Sequence, residues 1–220
     1  MRKLSEKSAL FQRITNDITE LNVRSAENGV EEALKGGVDP REIIERSLSE
    51  GLRIVGERYQ EGEYFLSELI MSAEIARRIM ERIEPELVSK RKEDIRGKVV
   101  IGTVRGDLHD IGKNLVAAFL KPIGLEVYDI GIDASPEKFV DAVERYKPDI
   151  VAMGALLTVC IPMYGETIEA LEKAGLRKKL KILVGGGAAN EQVARDAGAD
   201  AYAENAWQAV IKARELLSGL

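Results

Sequence analysis

The residues best suited to chemistry stand together in Arg105-Gly106-Asp107-Leu108-His109-Asp110-Ile111-Gly112-Lys113-Asn114, which holds the one histidine of the chain. Three chemistries are compatible with such a run. Gly106 to Lys113 has the outline of a phosphate-binding GxxxxGK[ST] loop, but five residues separate Gly106 from Gly112, and Asn114 stands where a magnesium-binding hydroxyl is needed. Asp107 and Asp110 could form the acidic pair of a phosphoryl-accepting domain. The third strand described below ends in Gly154-Ala155-Leu156-Leu157-Thr158, however, and presents no carboxylate to phosphorylate. The third chemistry is a metal site centred on His109. A metal held by protein alone takes three or four donors, and no such cluster surrounds this histidine in the sequence. Asp107, two residues earlier, can reach one ring nitrogen and leave the other free, which fixes the tautomer of a ligating imidazole and raises its basicity. One protein ligand suffices where a macrocycle already fills the equatorial positions of the metal.

The elements that position this loop follow from the hydrophobic period. After residue 97, short β-rich runs alternate with amphipathic segments. Strands are predicted at KVVIGTV, LEVYDIG, DIVAMGA, KILVGG and DAYAE, and helices near Ile111–Leu120, Pro136–Tyr146, Tyr164–Ala174, Asn190–Ala197 and Ala206–Leu217. Strand runs apolar on both faces imply a parallel sheet covered on both sides. The expected order is flavodoxin-like, 2-1-3-4-5. In such a sheet, ligands lie outside the carboxyl ends of the strands, at the point where strand order reverses. There the polar and glycine-rich breaks converge: the His109 loop, Gly154 to Cys160, Gly185-Gly186-Gly187, and Glu204-Asn205-Ala206.

Residues 1–88 have a helical period instead. Ile44, Leu48, Leu52, Val55 and Tyr59 stack on one face after Asp39-Pro40, and Leu66, Leu69, Ile70, Ala73, Ile79, Met80 and Ile83 form a second stripe ending near Pro85. Earlier helices are expected around Leu10 to Val23 and Ala26 to Leu34, the latter closed by Gly36-Gly37. Together they suggest a four-helix bundle over residues 1–88, a charged linker over 89–96 and an α/β domain over 97–220.

Asp107-Leu108-His109-Asp110-Ile111-Gly112 resembles the DxHxxG signature of cobalamin-binding domains. The spacing to Leu156, Leu157 and Thr158, and then to the glycines and Ala206, extends the likeness over residues 97–217. The preceding Gly56-Glu57-Arg58-Tyr59, Gly62-Glu63-Tyr64-Phe65-Leu66 and Glu68-Leu69-Ile70 resemble the bundle before the cobalamin domain of methionine synthase, and that of the corrinoid proteins of methanol, methylamine and O-demethylase systems. The resemblance implies a corrinoid bound base-off and His-on, with its tail buried in the protein and its cobalt ligated from below by His109. Asp107 would accept the second ring proton, and Gly106, Leu108, Asp110, Ile111 and Gly112 would line the same loop. Gly154, Leu156, Thr158, Cys160, Gly185, Gly186, Gly187 and Ala206 would border the corrin or its tail. Phe65 and Leu69, with Leu66 and Met71, would shield the upper face.

Two positions depart from the pattern. Gly154 replaces the serine of an SxL element, so one hydroxyl to the tail is missing, and Cys160 replaces a serine that extends the His-Asp relay in methionine synthase. The implied activity is one-carbon transfer: cobalt cycles between Co(I) and methyl-Co(III), loaded by a substrate-specific methyltransferase and unloaded by an acceptor methyltransferase. A corrinoid-reactivating reductase is an expected third partner, and Ser89 to Asp94 an expected hinge. The chain would be a carrier with no substrate pocket of its own. A cobalamin-dependent sensor is the alternative, although such proteins usually carry a DNA-binding segment.

Composition agrees with these expectations. The net charge of −5, spread over 31% charged residues, gives no basic excess for nucleic acid. The longest apolar stretch, Ile150 to Met163, is interrupted by Gly154, Thr158 and Pro162 and falls short of the roughly 20 residues that cross a bilayer. The N-terminal region lacks the apolar middle of a secretory signal. A single cysteine allows no internal disulfide and fits a reducing cytoplasm.

Overall fold

A computed structural model describes residues 2–87 and 96–219. The chain divides into two compact units, Met1–Asp94 and Ile95–Leu220.

In the first unit, α1 (Arg2–Thr19) turns at Leu21, whose φ is +60°, into α2 (Val23–Lys35). The turn therefore falls inside the first helix expected from sequence, and the second begins three residues earlier than Ala26. Pro40 opens the next helix, and the Asp39 carboxylate accepts from the Arg41 amide at 3.0 Å. The run comprises α3 (Pro40–Ile43), a π-helical turn over Ile44–Leu48 and α4 (Ser49–Gln60). The π turn shifts the phase of the apolar stripe: Ile43, not Ile44, is buried, together with Leu48, Leu52 and Val55. The last helix, α5 (Leu66–Leu87), has Pro85 in its last described turn, near where the sequence ends the stripe.

Phe11, Ile14 and Ile18 of α1 meet Ala26, Val30 and Ala33 of α2 and Ile75, Ile79 and Ile83 of α5 in the bundle core. Two glycines set the helix approach. A Cβ on Gly29 would lie 2.8 Å from Ile14 Cγ1, and one on Gly51 would lie 2.7 Å from Ile18 Cγ2. The linker expected at 89–96, and with it the hinge at Ser89 to Asp94, falls outside the described residues except for Arg96, which precedes the first strand.

The second unit is a five-stranded parallel sheet in the order β2-β1-β3-β4-β5, as expected. Its strands are β1 (Gly97–Thr103), β2 (Leu125–Asp129), β3 (Ile150–Gly154), β4 (Lys181–Gly185) and β5 (Ala201–Ala203). The connecting helices are α6 (Ile111–Leu120), α7 (Pro136–Tyr146), α8 (Pro162–Lys173) and α9 (Glu191–Ala197), with α10 (Ala206–Ser218) closing the chain. Alternation within each strand divides the core. Val100, Val151, Met153, Ile182 and Val184 pack with Phe139 and Val143 of α7 and Ile168 and Leu171 of α8, while α6 and α10 pack together over the opposite face.

Candidate functional site

The β1–α6 loop leaves the sheet where strand order reverses, between β2 and β3. Gly106 begins it with φ +85°, a left-handed conformation suited to glycine, and a Cβ there would sit 3.4 Å from the Cys160 sulfur. This turn drives Asp107 inward until it is 0% exposed and leaves the His109 side chain 53% exposed.

Every acceptor position of the Asp107 carboxylate is used. Oδ1 accepts from the His109 ring Nδ1 at 2.7 Å and from the His109 amide at 3.0 Å. Oδ2 accepts from the amides of Leu156 at 2.7 Å and Leu157 at 3.0 Å, which tie the loop to the end of β3. Burial alone would raise the Asp107 pKa, but these four hydrogen bonds outweigh it and bring the carboxyl down to about 2. An ionised carboxylate only accepts, so the proton in the contact belongs to Nδ1, and Nε2 carries the free lone pair. The main chain of the loop is tied as well. The Thr103 hydroxyl donates to the His109 carbonyl at 2.8 Å, Asp133 Oδ1 accepts from the Gly106 amide at 2.7 Å, and the Asp133 amide donates to the Asp107 carbonyl at 3.1 Å.

Around His109 lies an apolar surface. Leu108 is 68% exposed and Val159 80%, and Ile111, Ile132, Leu156 and Leu157 are exposed with them. Exposed apolar residues gathered on one edge of a folded domain mark a binding surface. Behind this edge the strand ends form a row of small residues in register, Thr103, Gly154, Gly185 and Ala203. A Cβ on Gly154 meets nothing within 4 Å, so the sheet leaves space there. The next turn is tight: a Cβ on Gly186, at φ +99°, would lie 2.3 Å from the Ala155 oxygen, and one on Gly187 2.7 Å from Leu156 Cδ1. Tyr164, fully buried, donates to the Gly185 carbonyl at 2.7 Å and holds the bend; burial pushes its hydroxyl pKa up.

The carboxyl edge of the sheet thus gathers Gly106 to Gly112, Gly154, Leu156, Thr158, Gly185, Gly186 and Gly187, with Ala206 buried in the first turn of α10. Asp110 precedes α6 and accepts from Asn114 Nδ2 at 3.1 Å. Lys113 is buried against Asp129 and donates to Asn114 Oδ1, a structural role unlike that of a phosphate-loop lysine. Cys160 is buried beneath Gly106, its thiol pKa pushed up by burial and by the charges of Asp107 and Asp133. The hydrogen bonds that extend the His-Asp pair come from main-chain amides. Phe65 and Leu69 lie in the helical unit: Phe65 is 68% exposed, beside exposed Leu66, Ile70 and Met71, whereas Leu69 is 1% exposed in the bundle core. Sequence reasoning missed Thr103, Ile132, Asp133, Val159 and Tyr164. None of the five stands out by type or spacing, since even Val159 lies within an apolar run.

These features fit a corrinoid. One imidazole nitrogen is held by its partner with the lone pair of the other free, an apolar surface surrounds it, and a glycine-lined space opens in the sheet behind. Among the described residues there is no group of three or more His, Cys, Asp or Glu side chains that could hold a metal ion.

Fold and site therefore define a parallel α/β domain with one half-exposed histidine, set among apolar side chains, on the loop at its switch point. Residues 97–211 match the family model of the B12 binding domain, and residues 10–84 match a second model with the same description. The chain belongs to the family of B12-binding corrinoid proteins, and its cofactor is cobalamin or a related corrinoid. It is 37% identical to trimethylamine corrinoid protein 1 of Methanosarcina acetivorans over 97% of this chain and 100% of that one. Identity to dimethylamine corrinoid protein 1 of the same organism is also 37%, over 96% and 99%. Among solved structures, the methanol:cobalamin methyltransferase complex of Methanosarcina barkeri aligns with a TM-score of 0.81 at 31% identity, covering 96% of this chain and 81% of that one. Among the described residues, no helix is long and apolar enough to cross a membrane.

Proposed function

We propose that this protein is a methyl carrier, loaded from a methylated substrate by one methyltransferase and unloaded onto a C1 acceptor by another. The observation that carries the reading is the Asp107–His109 pair at the sheet switch point, with its second ring nitrogen free among exposed apolar side chains. Its relatives named for trimethylamine and dimethylamine, and its likeness to a methanol:cobalamin methyltransferase complex, support a carrier and a methyltransferase partner.

When bound, the corrinoid supplies a cobalt that takes up and gives up a methyl group; the protein supplies ligation, orientation and burial. His109 would hold the cobalt through Nε2. Asp107 keeps the Nδ1 proton in place and stabilises positive charge on the ring. Leu108, Ile111, Leu156, Leu157 and Val159 would exclude water from the corrin edge. Gly154, Gly185 and Gly186 would let the tail pass close to the backbone, with Thr158 and Ala206 bordering it. The resemblance gives residues 1–88 the shielding task, residues 97–220 the cofactor, and a reductase the recovery of inactive cofactor.

The experiment loads the purified protein with hydroxocobalamin under reducing conditions and offers isotopically labelled methanol, monomethylamine, dimethylamine or trimethylamine, each with its cognate methyltransferase. Label on the loaded wild-type protein, absent for His109→Ala, is the expected result. Failure with every donor and enzyme pair overturns the methyl-carrier reading.

A further inference from the structure

The pairing of Asp107 with His109 orients the imidazole relative to its own loop, but it does not fix the loop against the domain. Both residues lie on one short turn and could swing together. Asp107 anchors its own end through Leu156 and Leu157. Two further residues hold the main chain on either side. Thr103, at the last position of β1 and buried at 2% exposure, donates its hydroxyl to the carbonyl of His109 itself at 2.8 Å. Asp133, from the β2–α7 connection, makes a two-bond clamp: Oδ1 accepts from the Gly106 amide at 2.7 Å and its own amide donates to the Asp107 carbonyl at 3.1 Å. To make both bonds Asp133 takes φ +49°, a left-handed conformation that glycine and asparagine adopt more readily.

We propose that Thr103 and Asp133 are positioning residues for His109, fixing the backbone of its loop to β1 and to the β2–α7 turn so that Nε2 stays at a constant height above the sheet edge. The inference rests on the reading of His109 as the cobalt ligand. Neither side chain touches the imidazole. Both act through peptide groups, and removing either side chain breaks one tie of the loop while leaving the Asp107–His109 contact and the Asp133 amide bond in place. The consequence concerns ligation geometry, since a ligand on a loose loop trades a well-placed bond for many poorly placed ones.

The test uses full-length protein loaded with cob(II)alamin and read by electron paramagnetic resonance, where a coordinating nitrogen splits each hyperfine line into three. Wild type is expected to show the nitrogen splitting and His109→Ala to lose it. Thr103→Val and Asp133→Ala are expected to lower the ratio of histidine-ligated to unligated cofactor by roughly five- to tenfold each, the effect of one ordinary hydrogen bond, with bound cofactor per protein unchanged. Thr103→Ser and Asp133→Asn, which keep the donor and the acceptor, are expected to restore the wild-type ratio. If wild type is split and both Thr103→Val and Asp133→Ala retain its ratio, the positioning role is wrong and the ligand reading stands. If wild type matches His109→Ala, both fall. Should Thr103→Val not fold, the Asp133 pair decides alone.

Discussion

At the scale of single residues, the chemistry depends on which ring nitrogen of His109 holds its proton, and the surroundings of Asp107 decide that. An asparagine at 107 has one acceptor oxygen. The two main-chain amides of Leu156 and Leu157 claim it against the single amide of His109, which turns the NH2 group toward Nδ1 and costs the His109 amide its acceptor. The imidazole then has to accept at Nδ1 and carry its proton on Nε2, so Asp107→Asn reverses the tautomer and removes the lone pair from the free nitrogen. Because the chain has one histidine, nitrogen-15 NMR of the cofactor-free protein reads this directly. Wild type is expected to show a protonated Nδ1, and Asp107→Asn a protonated Nε2; the same tautomer in both would refute the argument. The carboxylate also carries a pH signature. Its folded pKa is depressed to about 2, so its contribution to stability is complete above the ordinary aspartate value of about 4 and is lost as pH falls through 2. In urea unfolding of the cofactor-free protein, the stability gap between wild type and Asp107→Asn is expected to be widest at pH 5 and to close towards pH 2. A gap independent of pH would contradict the assigned depression.

At the scale of elements, the strand ends show what pattern reading reveals and what it hides. Each expected strand lies within two residues of its observed bounds: the buried β1, β3 and β4 write apolar runs next to glycines, and the half-buried β2 and β5 stand out by their β-rich composition between turn residues. The helical unit is less legible at Leu21 and at the π turn. A positive φ at leucine and an inserted residue in one turn leave no periodic trace. At the site, Asp107, His109 and the glycines announced themselves by type and spacing. Thr103 and Tyr164 did not, since a buried hydroxyl reads as part of a strand or helix until its acceptor is known. The glycines are also not equivalent. Gly154 faces open space, so Gly154→Ser should fold normally, with stability within about 0.5 kcal/mol of wild type, and should tighten corrinoid binding by adding a hydroxyl that can reach the bound tail. Gly186→Ala meets the Ala155 oxygen at 2.3 Å on a left-handed backbone, and should cost on the order of 1–3 kcal/mol from conformation alone. Thermal unfolding and cofactor titration separate the two, and equal effects would refute the distinction.

At the scale of the whole molecule, the net charge and the lack of a spanning helix among the described residues restrict what the chain can do less than the sheet edge does. All the expected ligand residues except Phe65, Leu66, Leu69 and Met71 belong to the second unit, so binding free energy must appear there first. A ligand that binds only the folded state stabilises it by mass action, about 2.7 kcal/mol at a hundredfold excess over its dissociation constant. Hydrogen exchange locates that gain. Adding hydroxocobalamin is expected to slow exchange of the amides of Gly106, Asp107 and His109, of Leu156 and Leu157, and of the Gly185 to Gly187 turn, because these lie against the proposed corrin and tail. Interior amides of α1 and α2 serve as the internal reference and are expected to be unchanged. Gly154→Leu, which fills the space behind the edge, should abolish the protection while leaving the cofactor-free exchange pattern of β1 to β5 intact. If protection survives that substitution, the tail does not use the glycine row, and the assignment of Gly154 and Gly185 fails even with His109 on cobalt.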